Sequence, residues 1–198
     1  MAPYHRNYRV ALILLLAVFS GCGGNESRDI SAIALTEIKN GDNFRNRGDF
    51  DTASYTEAIR LDPDNAVAYA NRGDVYREKG EYNKARDDYS QAIRLDPNNT
   101  RIYKNRGIAY FKTGEYDKAI EDYTQAIRLK PDNVWAYQTR GFAYREKGEY
   151  DKAIEDYTQV IRLKPDNVWA YQTRGFAYRE KGDLQKAKAD FDKAKSLR

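Results

Sequence analysis

The chain has 198 residues, 41% of them hydrophobic and 32% charged, and its mean hydropathy of −0.89 is too polar for a single deep globular core at this length. An aromatic content of 13%, with 17 Tyr, excludes disorder over most of the sequence, because disordered chains are poor in aromatic side chains. The net charge of +4 is spread over interleaved acids and bases, and the single Cys (Cys22) and single His (His5) exclude an intramolecular disulfide and a Cys/His zinc site.

The first segment differs in kind from the rest. His5, Arg6 and Arg9 precede an apolar run from Val10 to Phe19, and Ser20 and Gly21 lead into Cys22. A basic start, about ten apolar residues and then small ones predict a secretory signal, too short to cross a bilayer core of about 30 Å as a helix. Phe19-Ser20-Gly21-Cys22 resembles the lipobox of bacterial lipoproteins, with Phe where Leu is more usual. The resemblance implies a signal peptide of residues 1–21, cleaved before Cys22, and acyl chains such as palmitate on that residue. The plainer alternative is a free thiol beside an ordinary signal-peptidase cut. A lone Cys directly after the apolar run favours lipidation, and several chains at about 0.8 kcal/mol per buried methylene anchor a protein firmly. Residues 22–30 are expected to form a flexible tether. The expected location is the bacterial cell envelope, lipid-anchored, on the outer membrane facing the periplasm in a Gram-negative cell.

Residues 31–65 carry a shortened form of a pattern that becomes regular from Ala66. There Arg72-Gly73, Arg106-Gly107, Arg140-Gly141 and Arg174-Gly175 recur every 34 residues, as do Pro63, Pro97, Pro131 and Pro165. A period of this size means stacked supersecondary units. Within the frame 66–99, Tyr69, Gly73 and Tyr76 fall at helical spacing, and so do Tyr82, Ala85, Tyr89, Ala92 and Ile93. Gly80 between the two runs suits a left-handed helix end, Glu81 opens the second helix, and Pro97 stops it. Each frame is thus predicted to be a helix, a tight turn, a second helix and a Pro-bearing turn. Frames follow at 100–133, 134–167 and 168–198. A Gly inside a helix costs about 1 kcal/mol relative to Ala, so its recurrence at Gly73, Gly107, Gly141 and Gly175 implies a close helix approach, with Tyr76, Tyr110, Tyr144 and Tyr178 placed to fill the space beside it.

In the first frame Ala53 fits the small second-helix position, but Tyr55, Ala58, Ile59 and Pro63 fit only after a two-residue gap. Two missing helical residues turn an apolar stripe by about 200°, which predicts a shortened or bent second helix. The last helix carries Lys186, Lys188, Lys193 and Lys195 among acids, as a solvent-facing helix does.

The 34-residue period, Gly-x-x-Tyr, the later Ala, the aromatic at Tyr89, Tyr123, Tyr157 and Phe191, and the closing Pro resemble the tetratricopeptide repeat (TPR) over about residues 31–198. The resemblance implies an all-α fold, an α-solenoid of antiparallel helix pairs wound into a right-handed superhelix, its concave face lined mainly by the first helices. The family's usual Leu before the Gly is here Arg72, Arg106, Arg140 or Arg174. One reading packs the methylenes and leaves the guanidinium wet. The other pairs it with Asp88, Asp122, Asp156 or Asp190; the irregular frame lacks both charges together, having Asn40 and Ser54 at the matching places.

The sequence shows no enzyme constellation: beyond residue 22 it has no His, no Cys, no Gly-rich phosphate loop and no metal-ligand spacing. No catalytic residue and no cofactor is assigned. The expected function is that of a protein-interaction scaffold taking an extended peptide or partner helix in its groove. By the resemblance, the contact residues are Asn71 in the second frame, Arg101, Lys104 and Asn105 in the third, Trp135, Gln138, Phe142 and Arg145 in the fourth, and Trp169, Gln172, Phe176 and Arg179 in the fifth. Aromatics beside Gln and Arg are typical of binding hot spots; filling between adjacent repeats is the alternative for Trp135 and Phe142. Asn71 and Asn105 suit hydrogen bonds to a peptide backbone, a ladder that Thr139 and Thr173 interrupt. The two-carboxylate clamp of chaperone-binding members needs Lys, Asn and Arg where this chain has Ala70, Asp74, Asn105, Trp135 and Thr139. A nucleic-acid-binding helical repeat is the second reading, disfavoured by the export signal, and an unrecognised hydrolase is the third.

Overall fold

The computed structural model describes residues 26–46 and 52–197; the expected signal segment and the Cys22 lipid site lie outside them. Among the described residues there are ten α-helices and no strand. The described residues up to Asp64 form one unit and those from Asn65 onward another.

In the first unit, α1 (Glu26–Asn46) precedes α2 (Ala53–Leu61). The tether expected at residues 22–30 is corrected here, since 26–30 are already helical. No Gly or Pro intervenes before Gly41, and extending an existing helix adds one hydrogen bond per residue ordered. The two-residue shortage does not rotate the apolar stripe. As expected of a shortened helix, α2 has 9 residues where the next second helix has 14. Ala53 is exposed and takes no part in the close approach expected of it, while Tyr55 and Ala58 stay buried. The Tyr55 ring lies on Gly41, and its hydroxyl donates to Asp42 at 2.7 Å.

The second unit comprises α3 (Ala66–Glu78), α4 (Tyr82–Leu95), α5 (Thr100–Lys112), α6 (Tyr116–Leu129), α7 (Val134–Glu146), α8 (Tyr150–Leu163), α9 (Val168–Lys181) and α10 (Leu184–Ser196). Within this unit consecutive helices pack on one another, and α3 also touches α5. That is the connectivity of an α-solenoid. Local chemistry sets the ends. Gly80, Gly114, Gly148 and Gly182 follow the first helices with φ between +76° and +91°, where a side chain is strained. The next N–H then turns back onto a Tyr carbonyl, as Glu81 does onto Tyr76 at 2.8 Å. The second helices stop at Leu95, Leu129 and Leu163, two residues before each Pro, because the residue preceding Pro is held extended. Asn65, Asn133 and Asn167 cap α3, α7 and α9 by accepting the N–H of Ala68, Ala136 and Ala170 at 3.0–3.2 Å.

The core is a seam. The ring at i+16 on the second helix lies over each recurrent Gly. A methyl added at Gly73, Gly107, Gly141 or Gly175 would sit 2.9, 2.5, 2.9 or 2.7 Å from a ring carbon of Tyr89, Tyr123, Tyr157 or Phe191. The filler of this gap is therefore the second-helix aromatic and not Tyr76 or its equivalents, which are only partly buried and carry cations over their faces, Lys84 over Tyr76 and Lys152 over Tyr144 among them. Full burial of such a ring contributes on the order of 2–3 kcal/mol.

The Arg reading resolves toward pairing. Arg72, Arg106, Arg140 and Arg174 each donate twice to Asp88, Asp122, Asp156 and Asp190 at 2.7–2.9 Å. Three of them also reach back one repeat: Arg106 to Ser90, Arg140 to Thr124 and Arg174 to Thr158, each at 3.0 Å. One guanidinium thus joins a first helix to both second helices that flank it. Hydrogen bonding to Asp88 and Asp190 holds Arg72 and Arg174 charged above the ordinary arginine range. In α10, Lys186, Lys188, Lys193 and Lys195 are exposed. No described helix is long and apolar enough to cross a membrane.

Candidate functional site

The first helices of successive repeats expose different chemistry at equivalent positions. At the position after the recurrent Gly stand Asp74, Ile108, Phe142 and Phe176. Asp74 is buried, and its carboxylate accepts from Tyr89 Oη at 2.7 Å, Asn105 Nδ2 at 2.7 Å and Arg101 at 2.6 Å. Arg101 also donates to Asn71 at 3.2 Å. Asn71, Arg101 and Asn105, expected as ligand contacts, are thus joined in a network around Asp74 in which Arg101 stays exposed. Asn71 and Asn105 are buried, and Asn105 and Arg101 satisfy a buried carboxylate, which is costly to leave without donors. Burial and the Asp74 charge hold the Tyr89 hydroxyl protonated far above the usual tyrosine range.

Where Asp74 gives way to Ile108 and Phe142, the surface becomes an apolar pocket of about 440 Å³. Ile108, Phe111 and Lys112 of α5 form one wall, and Trp135, Gln138, Thr139 and Phe142 of α7 form the other. Tyr123 of α6 and Trp169 of α9 complete it. Phe111 and Phe142 rings meet at 5.3 Å, and Trp135 stands edge-on to Tyr123 at 5.6 Å. Trp169 repeats that contact with Tyr157 at 5.7 Å. The two readings of the Trp residues are therefore not exclusive: each indole packs against the preceding repeat and still lines the pocket. Trp169 and Phe176 remain 40% and 38% exposed, a large apolar area to leave in water. Thr139 and Thr173 bond back to the carbonyls of Trp135 and Trp169.

Beyond this pocket, Arg145, Phe176 and Arg179 line a second depression of about 410 Å³ with Glu146 and Glu180. Arg145 stacks 4.5 Å from the Phe142 ring centre and pairs with Glu146 at 2.9 Å. Lys104 Nζ lies 4.6 Å over Trp135. Gln172 is half-buried and lines neither pocket. Sequence reasoning missed Phe111 and Tyr123 as pocket residues. Phe111 had a signal, because it interrupts a position that is Arg77, Arg145 and Arg179 elsewhere; Tyr123 had none, being one of a uniform series. Among the described residues, no cluster of three or more His, Cys, Asp or Glu is placed to hold a metal.

Family models described as TPR repeat match residues 73–114 and 141–182, and models described as tetratricopeptide repeat match 54–87, 100–133, 122–155 and 170–198. The chain is a TPR protein. A crystal structure of MamA is 34% identical, with 79% of this chain and 93% of that one covered at a TM-score of 0.76. MamA from Desulfovibrio magneticus RS-1 shares the fold at 22% identity, covering 83% and 94% of the two chains at a TM-score of 0.78. YrrB, described as a TPR protein with an unusual peptide-binding site, shares it at 24% identity, 83% and 86% coverage and a TM-score of 0.75. The second unit accordingly has the right-handed superhelical arrangement of TPR helix pairs, and the pocket lies on the side lined by the first helices.

Proposed function

We propose that this TPR protein is a protein-interaction scaffold that binds an extended peptide or a partner helix across α5, α7 and α9. The observation that carries the reading is the aromatic pocket, in which Trp135, Phe142 and Trp169 converge with Gln138 at the edge. Rigid aromatic anchors around a concave apolar surface are where binding energy concentrates. YrrB, described as having a peptide-binding site, is built on the same fold. A displayed random-peptide library panned on the protein tests the reading. Binders are expected to lose about 10–100-fold in affinity against a variant with Trp135→Ala and Phe142→Ala, as hot-spot truncations do, with the helical circular dichroism unchanged. Peptides retained equally by both proteins would place the binding surface elsewhere.

The same proposal includes export and lipid anchoring in the bacterial envelope through Cys22, supported by the apolar run from Val10 to Phe19 and the small residues before the Cys. Radiolabelled palmitate is expected to enter the protein and to be lost with Cys22→Ser; equal labelling of that variant would remove the anchor.

A further inference from the structure

Resting on the groove reading above, we propose that the occupant is an acidic peptide segment that carries a bulky apolar side chain, held by Lys104 and Lys112 of α5. The first helices of the other repeats of the second unit end in a basic and acidic pair: Arg77 with Glu78 at 3.5 Å, Arg145 with Glu146 at 2.9 Å and Arg179 with Glu180 at 3.6 Å. In α5 that pair is replaced by Phe111 and Lys112. The repeat that contributes an added apolar wall thus also exchanges its acid for a base. No residue of α5 is acidic. Arg106 is matched by Asp122 and Arg101 by Asp74, whereas Lys104 and Lys112 have no carboxylate partner among the described residues. Lys104 is set against the Trp135 face and Lys112 lines the pocket itself.

Eight residues along a helix separate the two lysines by about 12 Å, so two acidic side chains can flank one apolar anchor. Asp74 is buried under three donors and does not repel such a ligand, and Asp132, which shares a depression with Trp135 and Gln138, stands there beside Lys130 and Lys164. A nucleic acid is a poorer match, since its backbone calls for a continuous cationic track and the cations beyond α5 stand beside Glu146 and Glu180.

The test measures fluorescence anisotropy of the full chain with short labelled peptides that share a central Leu-Phe pair and differ only in flanks of Glu, Gln or Lys, alongside a single-stranded oligonucleotide. The Glu peptide is expected to bind about ten-fold more tightly than the Gln peptide at low salt, the equivalent of about 1.4 kcal/mol, with the advantage shrinking as salt rises. Lys104→Glu with Lys112→Glu should reverse the order so that the Lys peptide binds best, and circular dichroism should show the fold kept. Equal binding of Glu and Gln peptides, lost with Trp135→Ala, would overturn the acidic occupant and leave the groove reading standing. No binding of any peptide would overturn both. Preference for the oligonucleotide would replace the peptide by a nucleic acid.

Discussion

Replacing Asp156 by Ala is expected to lower stability by about 3 kcal/mol, because it leaves the Arg140 guanidinium half-buried with Thr124 and two ring faces as its remaining neighbours. Arg140→Ala should cost at least as much, since the Asp156 side chain is only 5% exposed and a buried carboxylate without donors is costly. Both single variants break the same two hydrogen bonds, so the Ala/Ala double variant should fall short of additivity by about 1–3 kcal/mol. Replacing the pair by Met at 140 and Leu at 156 should recover most of the loss, as apolar substitutes of similar volume do. Urea denaturation followed by circular dichroism measures each value. A coupling energy of zero would mean that the pair is a contact without energetic weight. Because Arg140 also reaches Thr124, hydrogen exchange in Arg140→Ala should rise in α6 as well as in α7 and α8.

The second large effect is expected at the Gly seam. Gly107→Ala gains about 1 kcal/mol of helix propensity yet should destabilise by about 1–2 kcal/mol net, since its methyl would fall 2.5 Å from the Tyr123 ring. Tyr123→Ala removes that ring and should cost about 3–5 kcal/mol. Combining the two should cost less than their sum, because the methyl enters space the ring has vacated; strict additivity would show that ring and glycine do not share it. Tyr123 also supports Trp135 and lines the pocket, so its loss should weaken peptide capture even where the helices persist.

A smaller pair of substitutions separates two tyrosines that look identical in sequence. Tyr89→Phe removes a hydrogen bond to the buried Asp74 carboxylate and is expected to cost about 1.5–3 kcal/mol. Tyr157 has Phe142 where Tyr89 has Asp74, and its buried hydroxyl has no hydrogen-bond partner among the described residues. Tyr157→Phe should therefore be neutral or stabilising by up to about 1 kcal/mol. Thermal denaturation of the two variants decides this, and equal losses would contradict it.

Much of this architecture was legible because each repeat states its own local rules. Gly80 and its equivalents had to leave the right-handed region at a helix end, and the prolines had to stop the second helices two residues early. The Arg and Asp partnership was legible from the irregular frame, where Asn40 and Ser54 replace both charges together. The filler of the glycine gap was ambiguous, because Tyr76 and Tyr89 both fall at plausible helical spacings and only packing shows which ring crosses to Gly73. The groove was legible as a list of positions but not as a site. Asn71, Arg101 and Asn105 stand in a contact network that crosses two helices: Arg101 and Asn105 of α5 donate to Asp74 of α3, and Arg101 also donates to Asn71.

By itself, then, the sequence determined the helix pairs, their period and their glycine and proline stops, because these follow from contacts within a turn or between residues at a constant spacing. Tertiary structure decided what the repeats make together. Ile108, Phe111, Trp135, Phe142 and Trp169 come from three first helices whose side chains share a pocket only once the repeats stack, and packing shows that the shortened α2 buries Tyr55 and Ala58 while Ala53 stays exposed. Local patterns repeat every 34 residues, but a surface made by neighbouring repeats depends on how each departs from the pattern, and burial, not spacing, decides whether a departure serves the fold or a partner.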